Sequence, residues 1–419
     1  MTGFLRFIIA VLLFAAPIVS HSAESPGDRG KQIAKKERQD RDYRMNAFLS
    51  SILLGNINGS ITVPDTDNYL STEGHTSYGL DFLRTPEMKR SAVESVYKKY
   101  GFNTAVELKL KTFSTYKNSF RKRLFRSGKY IKTITEIFEE EDLPRELIFL
   151  PLIESQFNPY AYSRMRAAGP WQFIPATARK LNLKMDWWVD ERRDPIKSSK
   201  AAAQYLKYLY NRFDSWNLAL AAYNAGEGKI SSVLRKTGSN DFWTIRKSRY
   251  LTRETKNYVP SYIAATAIAM NPGDFGFRDI RYQKPLRYDE ATIQNPMDLE
   301  LVARFTNVDI KKIRDLNPEL KRLCTPPNVP SYILRIPRGT KKMFFSNLSK
   351  TRGYEPYYVR FYTVRKGDTV KKIAMKLGSP VKAIIDMNKL GKRALLRAGK
   401  KIMVPFEENW DKITSGAGI

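Results

Sequence analysis

The chain has 419 residues, too many for one ordinary core, and 42% of them are hydrophobic, so two or three globular domains are expected and wholesale disorder is excluded. Lysine and arginine number 72 against 42 acids, a formal charge of +30 that attracts polyanions: nucleic acid, an anionic membrane surface or a carboxylate-rich wall. The lone cysteine, Cys324, rules out an intrachain disulfide, and two histidines, His21 and His75, offer little for a His-rich metal site or a Ser-His-Asp triad. Neither metal nor cofactor is therefore expected, and acid–base chemistry falls to carboxylates or tyrosines.

The first element is "MTGFLRFIIAVLLFAAPIVSHSAES", with one early cation at Arg6, an apolar run from Phe7 to Val19 and small polar residues after it. This is the layout of a secretory signal peptide over residues 1–23; a short uncleaved anchor is the alternative. Export to the periplasm or cell envelope follows. It removes nucleic acid from the expected partners, and it makes the N-terminal segment the route of any peripheral membrane association. Residues 24–110 are expected to form a charged leader and a helical extension. Within them, 24 to about 45 are polar and flexible, and 46–110 mix short apolar runs with Gly, Pro and Asp and give no clear assignment. His75, in "STEGHTSYG", is expected in a solvated loop.

From about Thr112 to Met270 the apolar spacing is helical. "YKNSFRKRLFRSGKYIKTITEIFEEEDL" leads into "EDLPRELIFL", where Asp142 is a candidate N-cap and Pro144 falls in the first turn. "SSKAAAQYLKYLYNRF" and "SWNLALAAYNAGEGKI" predict two further helices, the second stopping at Gly226 and Gly228. "ETKNYVPSYIAATAIAM" predicts another, ending near Asn271. The domain expected over 111–275 is compact and all-α.

After Pro272 an internal repeat begins. "VARFTNVDIKKIRDLN" (302–317) aligns without a gap on "IAMKLGSPVKAIIDMN" (373–388), and each copy ends in a short strand before proline, "YILRIP" and "KIMVP". The unit predicted is a β-α-α-β module of about 45 residues, degenerate over 290–345 and complete over 357–406, where "FYTVRKGDTV" supplies a clear opening strand.

One carboxylate stands out. "LPLIESQFNPYAYSRMRAAGPWQFIPATA" (150–178) runs from an apolar stretch into Glu154 and then through small, aromatic and amide residues without a second acid. An acid at the end of an apolar helix is poorly solvated. Its pKa rises, and it can donate a proton to a leaving oxygen; the plainer alternative is a surface glutamate at a helix end. Trp171, Gln172 and Ser163 suit a sugar site, aromatic faces stacking on rings and polar groups pairing with hydroxyls, although a core tryptophan and capping residues would leave the same pattern.

"ES", "FNPYAYS", "AAGPWQFIPATA", "AAYNAG" and "TKNYVP", in that order, resemble the lytic transglycosylases of glycoside hydrolase family 23, and more narrowly the membrane-bound lytic murein transglycosylase D group. The likeness spans roughly 115–275, and "VDERRDPIKSSKAAAQYL" shares it. "YTVRKGDTVKKIAMKLG" with "AGKKIMVP" is similar to LysM modules, which bind N-acetylglucosamine glycans. The resemblance implies a mainly α chain: a lysozyme-like helical catalytic domain followed by small βααβ LysM-like modules. It further implies cleavage of the MurNAc–GlcNAc bond of peptidoglycan without water, leaving a 1,6-anhydro ring.

A retaining glycosidase ordinarily needs two carboxylates about 5–5.5 Å apart; the resemblance implies that the substrate's acetamido oxygen and C6 hydroxyl take the second role, so that one glutamate suffices. By position Glu154 matches the catalytic acid/base, and Ser163, Gln172, Tyr223 and Tyr258 match residues lining the saccharide cleft, with Asn224 beside them. "RMRAAG" departs from the commoner pattern; Arg164 and Arg166 are candidates for stem-peptide carboxylates or are simply solvated. Asp186, Asp190, Glu191 and Asp194 are expected to be structural, paired with Arg192 and Arg193. Two other functions remain open on sequence: a goose-type lysozyme hydrolase using Asp186 or Asp190 to place water, and a non-catalytic wall-binding protein.

Overall fold

The computed structural model describes residues 86–351, 358–391 and 393–405; the expected signal sequence, the charged leader and His75 lie outside the described residues. Helices Pro86–Tyr100 (α1) and Thr104–Thr115 (α2) occupy a stretch whose composition gave no assignment. Asn103 separates them: its side chain accepts from the N–H groups of Ala105 and Val106 and so caps α2.

Lys117–Ser127 (α3) and Ile131–Glu140 (α4) follow, with Gly128 between them. The expected cap at Asp142 is not one. It lies at φ +55, where its N–H closes the end of α4 on the carbonyl of Glu139 at 3.1 Å. Pro144 instead opens a short 3₁₀ turn, Arg145–Phe149, that runs into the four-residue helix Pro151–Glu154 (α5). Pro175–Lys180 (α6) and the long Pro195–Phe213 (α7) come next.

Trp216–Ala225 (α8) does end at Gly226, which turns at φ +88, but Gly228 terminates nothing: it lies inside the next helix, Glu227–Thr237 (α9). Phe242–Lys247 (α10) then leads to Arg253–Met270 (α11). From Val259 to Met270 only Ser261 of α11 escapes burial, and α1, α2 and α8 pack on it, so it is the central helix of the domain. Its alanines keep those neighbours close.

The two repeats are built alike. Strand Tyr288–Ile293 (β1) pairs antiparallel with Tyr332–Pro337 (β2), and helices Leu299–Phe305 (α12) and Ile310–Leu316 (α13) connect them. The degenerate copy thus keeps its opening strand, and helix Lys341–Lys350 (α14) follows it. In the second copy Val359–Thr363 (β3) pairs antiparallel with Lys401–Pro405 (β4) around Val370–Leu377 (α15) and Val381–Met387 (α16).

The aligned asparagines do one job twice. Asn317 Nδ2 donates to the carbonyls of Ile313 and Arg335 while its Oδ1 accepts from the N–H of Arg335. Asn388 does the same with Ile384 and Met403. Each closes its second helix and fastens it to the last strand. A mainly α chain with two small βααβ units is the fold class expected. Among the described residues no helix is long and apolar enough to cross a membrane.

Candidate active site

Glu154 is the last residue of α5. Leu147, Ile148, Phe149, Leu150 and Leu152, all essentially without solvent exposure, anchor the turn that carries it. Glu154 itself stays partly open to solvent. Burial pushes its carboxyl up to about 7; a hydrogen bond from the Tyr258 hydroxyl to Oε1 opposes that rise, and the charge of Glu254 adds to it. Since Tyr258 donates to Oε1, Oε2 is the oxygen left to carry and deliver a proton.

Tyr258 projects from the buried face of α11, and Tyr223 from the last turn of α8. The hydroxyl of Tyr223 donates to the carbonyl of Trp171 at 2.8 Å; burial raises its pKa, and the nearby charge of Glu154 adds to the rise. Asn224 faces another way: its Nδ2 donates to Glu254 Oε1 at 3.1 Å and its Oδ1 accepts from the Thr255 hydroxyl at 2.9 Å, tying the end of α8 to the start of α11.

Glu254, exposed on the first turn of α11, was missed in the sequence. The available signal was its place four residues before Tyr258, on the same helix face.

Ser163 and Gln172 belong to a small hairpin over 161–173, held by bridges from Ala168 to Tyr162 and to Phe173. Ser163 Oγ accepts from the N–H of Ala167 at 3.1 Å, and Gln172 Nε2 donates to the carbonyls of Gly169 and Ala161 at 2.8 and 3.3 Å. Among the described residues no hydrogen bond joins either to Glu154; their side chains brace the hairpin. Gly169 is required there, since at φ +81 a Cβ would overlap the carbonyl oxygen of Arg192.

Trp171 is not a sugar platform. Its ring is wholly buried, stacked on Phe138, and its Nε1 donates to Ser199 Oγ at 2.8 Å. Arg164 and Arg166 are exposed.

The neighbouring acids have the expected arginine partner in one case and other partners in the rest. Asp190 does pair with Arg192, at 2.8 Å and buried. Glu191 pairs with Lys197 and Asp194 with Arg335, rather than with Arg193. Asp186 caps the N–H groups of Trp188 and Val189 and lies 3.3 Å from Lys184. Asp190 is thus taken up by Arg192, and Asp186 by its backbone cap and Lys184.

Residues 134–246 match the Transglycosylase SLT domain, 287–353 the Lytic transglycosylase MltD, LysM-like domain, and 362–405 the LysM domain. Membrane-bound lytic murein transglycosylase D of Escherichia coli K12 is 30% identical over 294 residues, 67% of this chain and 64% of that protein. A putative tributyltin chloride resistance protein of Alteromonas sp. strain M-1 is 36% identical over 166 residues, 36% of this chain and 80% of that protein. Peptidoglycan transglycosylase gp16 of Escherichia phage T7 is 37% identical over 109 residues, 25% of this chain and 8% of that protein. The chain carries a match to the SLT domain, with a match to the MltD-type LysM-like domain and then one to the LysM domain behind it. It spans 64% of the length of the lytic murein transglycosylase D it resembles.

Proposed function

We propose that this protein is an exported lytic transglycosylase of the cell envelope that cleaves the β-1,4 bond between MurNAc and GlcNAc in peptidoglycan without water, leaving 1,6-anhydroMurNAc ends. The observation that carries the reading is Glu154: a carboxyl at the end of a buried helical turn, hydrogen-bonded by Tyr258 and retaining its proton to about pH 7, with Asp190 taken up by Arg192. Similarity to a lytic murein transglycosylase D supports it, as does the presence of LysM and SLT matches in one chain.

In this reading protonated Glu154 gives its proton to the glycosidic oxygen as the C1–O bond breaks, and the acetamido oxygen of MurNAc stabilises C1. The ionised carboxylate then takes the proton of the C6 hydroxyl while O6 bonds to C1. One proton leaves Glu154 and one returns, so no water enters. Tyr258 orients the carboxyl. Tyr223, Ser163, Gln172 and Asn224 line or brace the saccharide cleft, and the module at 362–405 holds GlcNAc-containing strands. The N-terminal segment directs export and any peripheral association with the membrane.

Glu154→Gln keeps shape and hydrogen bonding but cannot cycle a proton. Its clearing of peptidoglycan suspensions is expected to fall at least about 10³-fold, with circular dichroism unchanged; clearing at the wild-type rate rejects the assignment. A hydrolase is the second reading, and Glu254, whose charge reaches Glu154, is then the carboxylate to suspect. Wild-type products that end in anhydro rings rather than reducing sugars dismiss that reading.

A further inference from the structure

The first repeat is joined to the helical domain by its main chain, its core and its charges. The N–H of Asp190 donates to the carbonyl of Glu319 at 2.8 Å, the N–H of Lys321 to the carbonyl of Trp188 at 2.8 Å, and Lys321 Nζ to the carbonyl of Asp186 at 2.7 Å. Trp188 and Val189, from the segment before α7, are buried in the core of the repeat together with Leu320, Leu334 and Ile336.

Arg335 crosses between the two bodies. Its Nη2 donates to Asp194 Oδ2, and its Nη1 to the carbonyl of Leu316 at 2.9 Å and to Glu319 Oε2 at 3.4 Å. The other oxygen of Asp194 caps α7 through the N–H groups of Ile196 and Lys197. Arg335, Asp194 and Glu319 are all buried.

The second repeat does without this triad. The aligned asparagines bond Arg335 in the first copy and Met403 in the second, so the two residues hold one position. A buried charge triad adds little net stability over apolar packing but can fix how two surfaces meet. The loops after the second helix differ in the same sense. In the first copy Leu320, Arg322, Cys324 and Thr325 are buried; in the second Leu395, Arg397, Gly399 and Lys400 are exposed.

The segment so fixed supports the hairpin of the cleft. Arg192 grips both oxygens of Asp190, and its Nη1 donates to the carbonyls of Arg166 and Phe173. The carbonyl of Arg192 lies directly beneath Gly169. A continuous path of contacts therefore runs from the repeat through 186–194 to the hairpin carrying Ser163 and Gln172.

We propose that the first repeat is a fixed buttress of the saccharide-binding hairpin, and that Arg335 is a positioning residue for the glycan-cleaving reaction proposed above, on which this inference rests. A loop set by an unbuttressed 186–194 segment would hold Ser163 and Gln172 out of place without touching Glu154, which stands on α5.

The test uses the full chain with Arg335→Met, Asp194→Asn and Glu319→Gln combined, so that no buried charge is stranded; Arg335→Lys is the second variant should the triple fail to fold. Hydrogen exchange in 161–173 is expected to quicken about tenfold or more while exchange in α11 stays at the wild-type level. KM for soluble glycan strands should rise about tenfold with kcat within about twofold. Wild-type exchange in the hairpin of a folded variant overturns the buttress, and so does an unchanged KM. Loss of kcat at constant KM overturns it as well. A wild-type protein that cleaves nothing refutes the activity instead, and the exchange measurement still decides the buttress.

Discussion

At Glu154 burial and hydrogen bonding pull in opposite directions, and burial wins. Tyr258 donates to the carboxylate and favours the charged form, yet the carboxyl still holds its proton to about 7. Tyr258→Phe removes the opposing force, so the alkaline limb of the pH–rate profile should move to higher pH by roughly one unit, with a lower maximum rate. An unmoved limb would show that Tyr258 does not tune Glu154.

The same group makes stability depend on pH. Its folded pKa lies above the ordinary value of 4.5, so the folded state binds a proton that the unfolded state has released between those values. Stability from this group is therefore full below about pH 4.5 and lost as pH rises through about 7. The amide of the Glu154→Gln variant has no charge to desolvate. The gain in thermal stability from Glu154→Gln should be small at pH 5 and larger at pH 8, by roughly 1–2 kcal/mol after allowance for the open side of the cleft. An equal gain at both values would contradict the buried-acid reading.

At the scale of elements, the site depends on tight turns as much as on helices. Gly169→Ala would drive a methyl into the carbonyl of Arg192 at a backbone angle alanine avoids. Calorimetry should show a loss of roughly 4 kcal/mol or more, or no cooperative melt at all; a loss of only about 1 kcal/mol would mean that the hairpin yields easily. Periodicity made the long helices legible, α7, α8 and α11 among them, because each has a broad apolar face. It misjudged Asp142 and Gly228, where the choice between cap, turn and helix depends on backbone angles that composition does not encode. Trp171 was misleading for a related reason: a tryptophan beside a cleft residue serves a sugar or a core equally well in sequence, and only the stacking on Phe138 separates the two. The charge partners were hidden by distance along the chain, Asp194 and Arg335 being 141 residues apart.

For the whole molecule, charge and modules act together. The second repeat carries 13 Lys or Arg from Arg360 to Pro405 against Asp368 and Asp386, a net of +11. Attraction to stem-peptide carboxylates should be long-ranged and salt-sensitive, whereas contacts to sugar hydroxyls and acetamido groups should resist salt. Pull-down of the Glu154→Gln protein on insoluble peptidoglycan should thus weaken only in part by about 0.5 M salt, where the Debye length is about 4 Å. Complete loss there would reduce the module to a polycation.

Everything proposed for the cleft turns on one glutamate cleaving the glycan with the substrate's own hydroxyl in place of water. Digestion of purified peptidoglycan by the wild-type protein in ¹⁸O-water, followed by mass spectrometry of the new muramic ends, tests it directly. The new ends should be one water lighter than reducing sugars and free of ¹⁸O. Reducing ends carrying one ¹⁸O would contradict the mechanism.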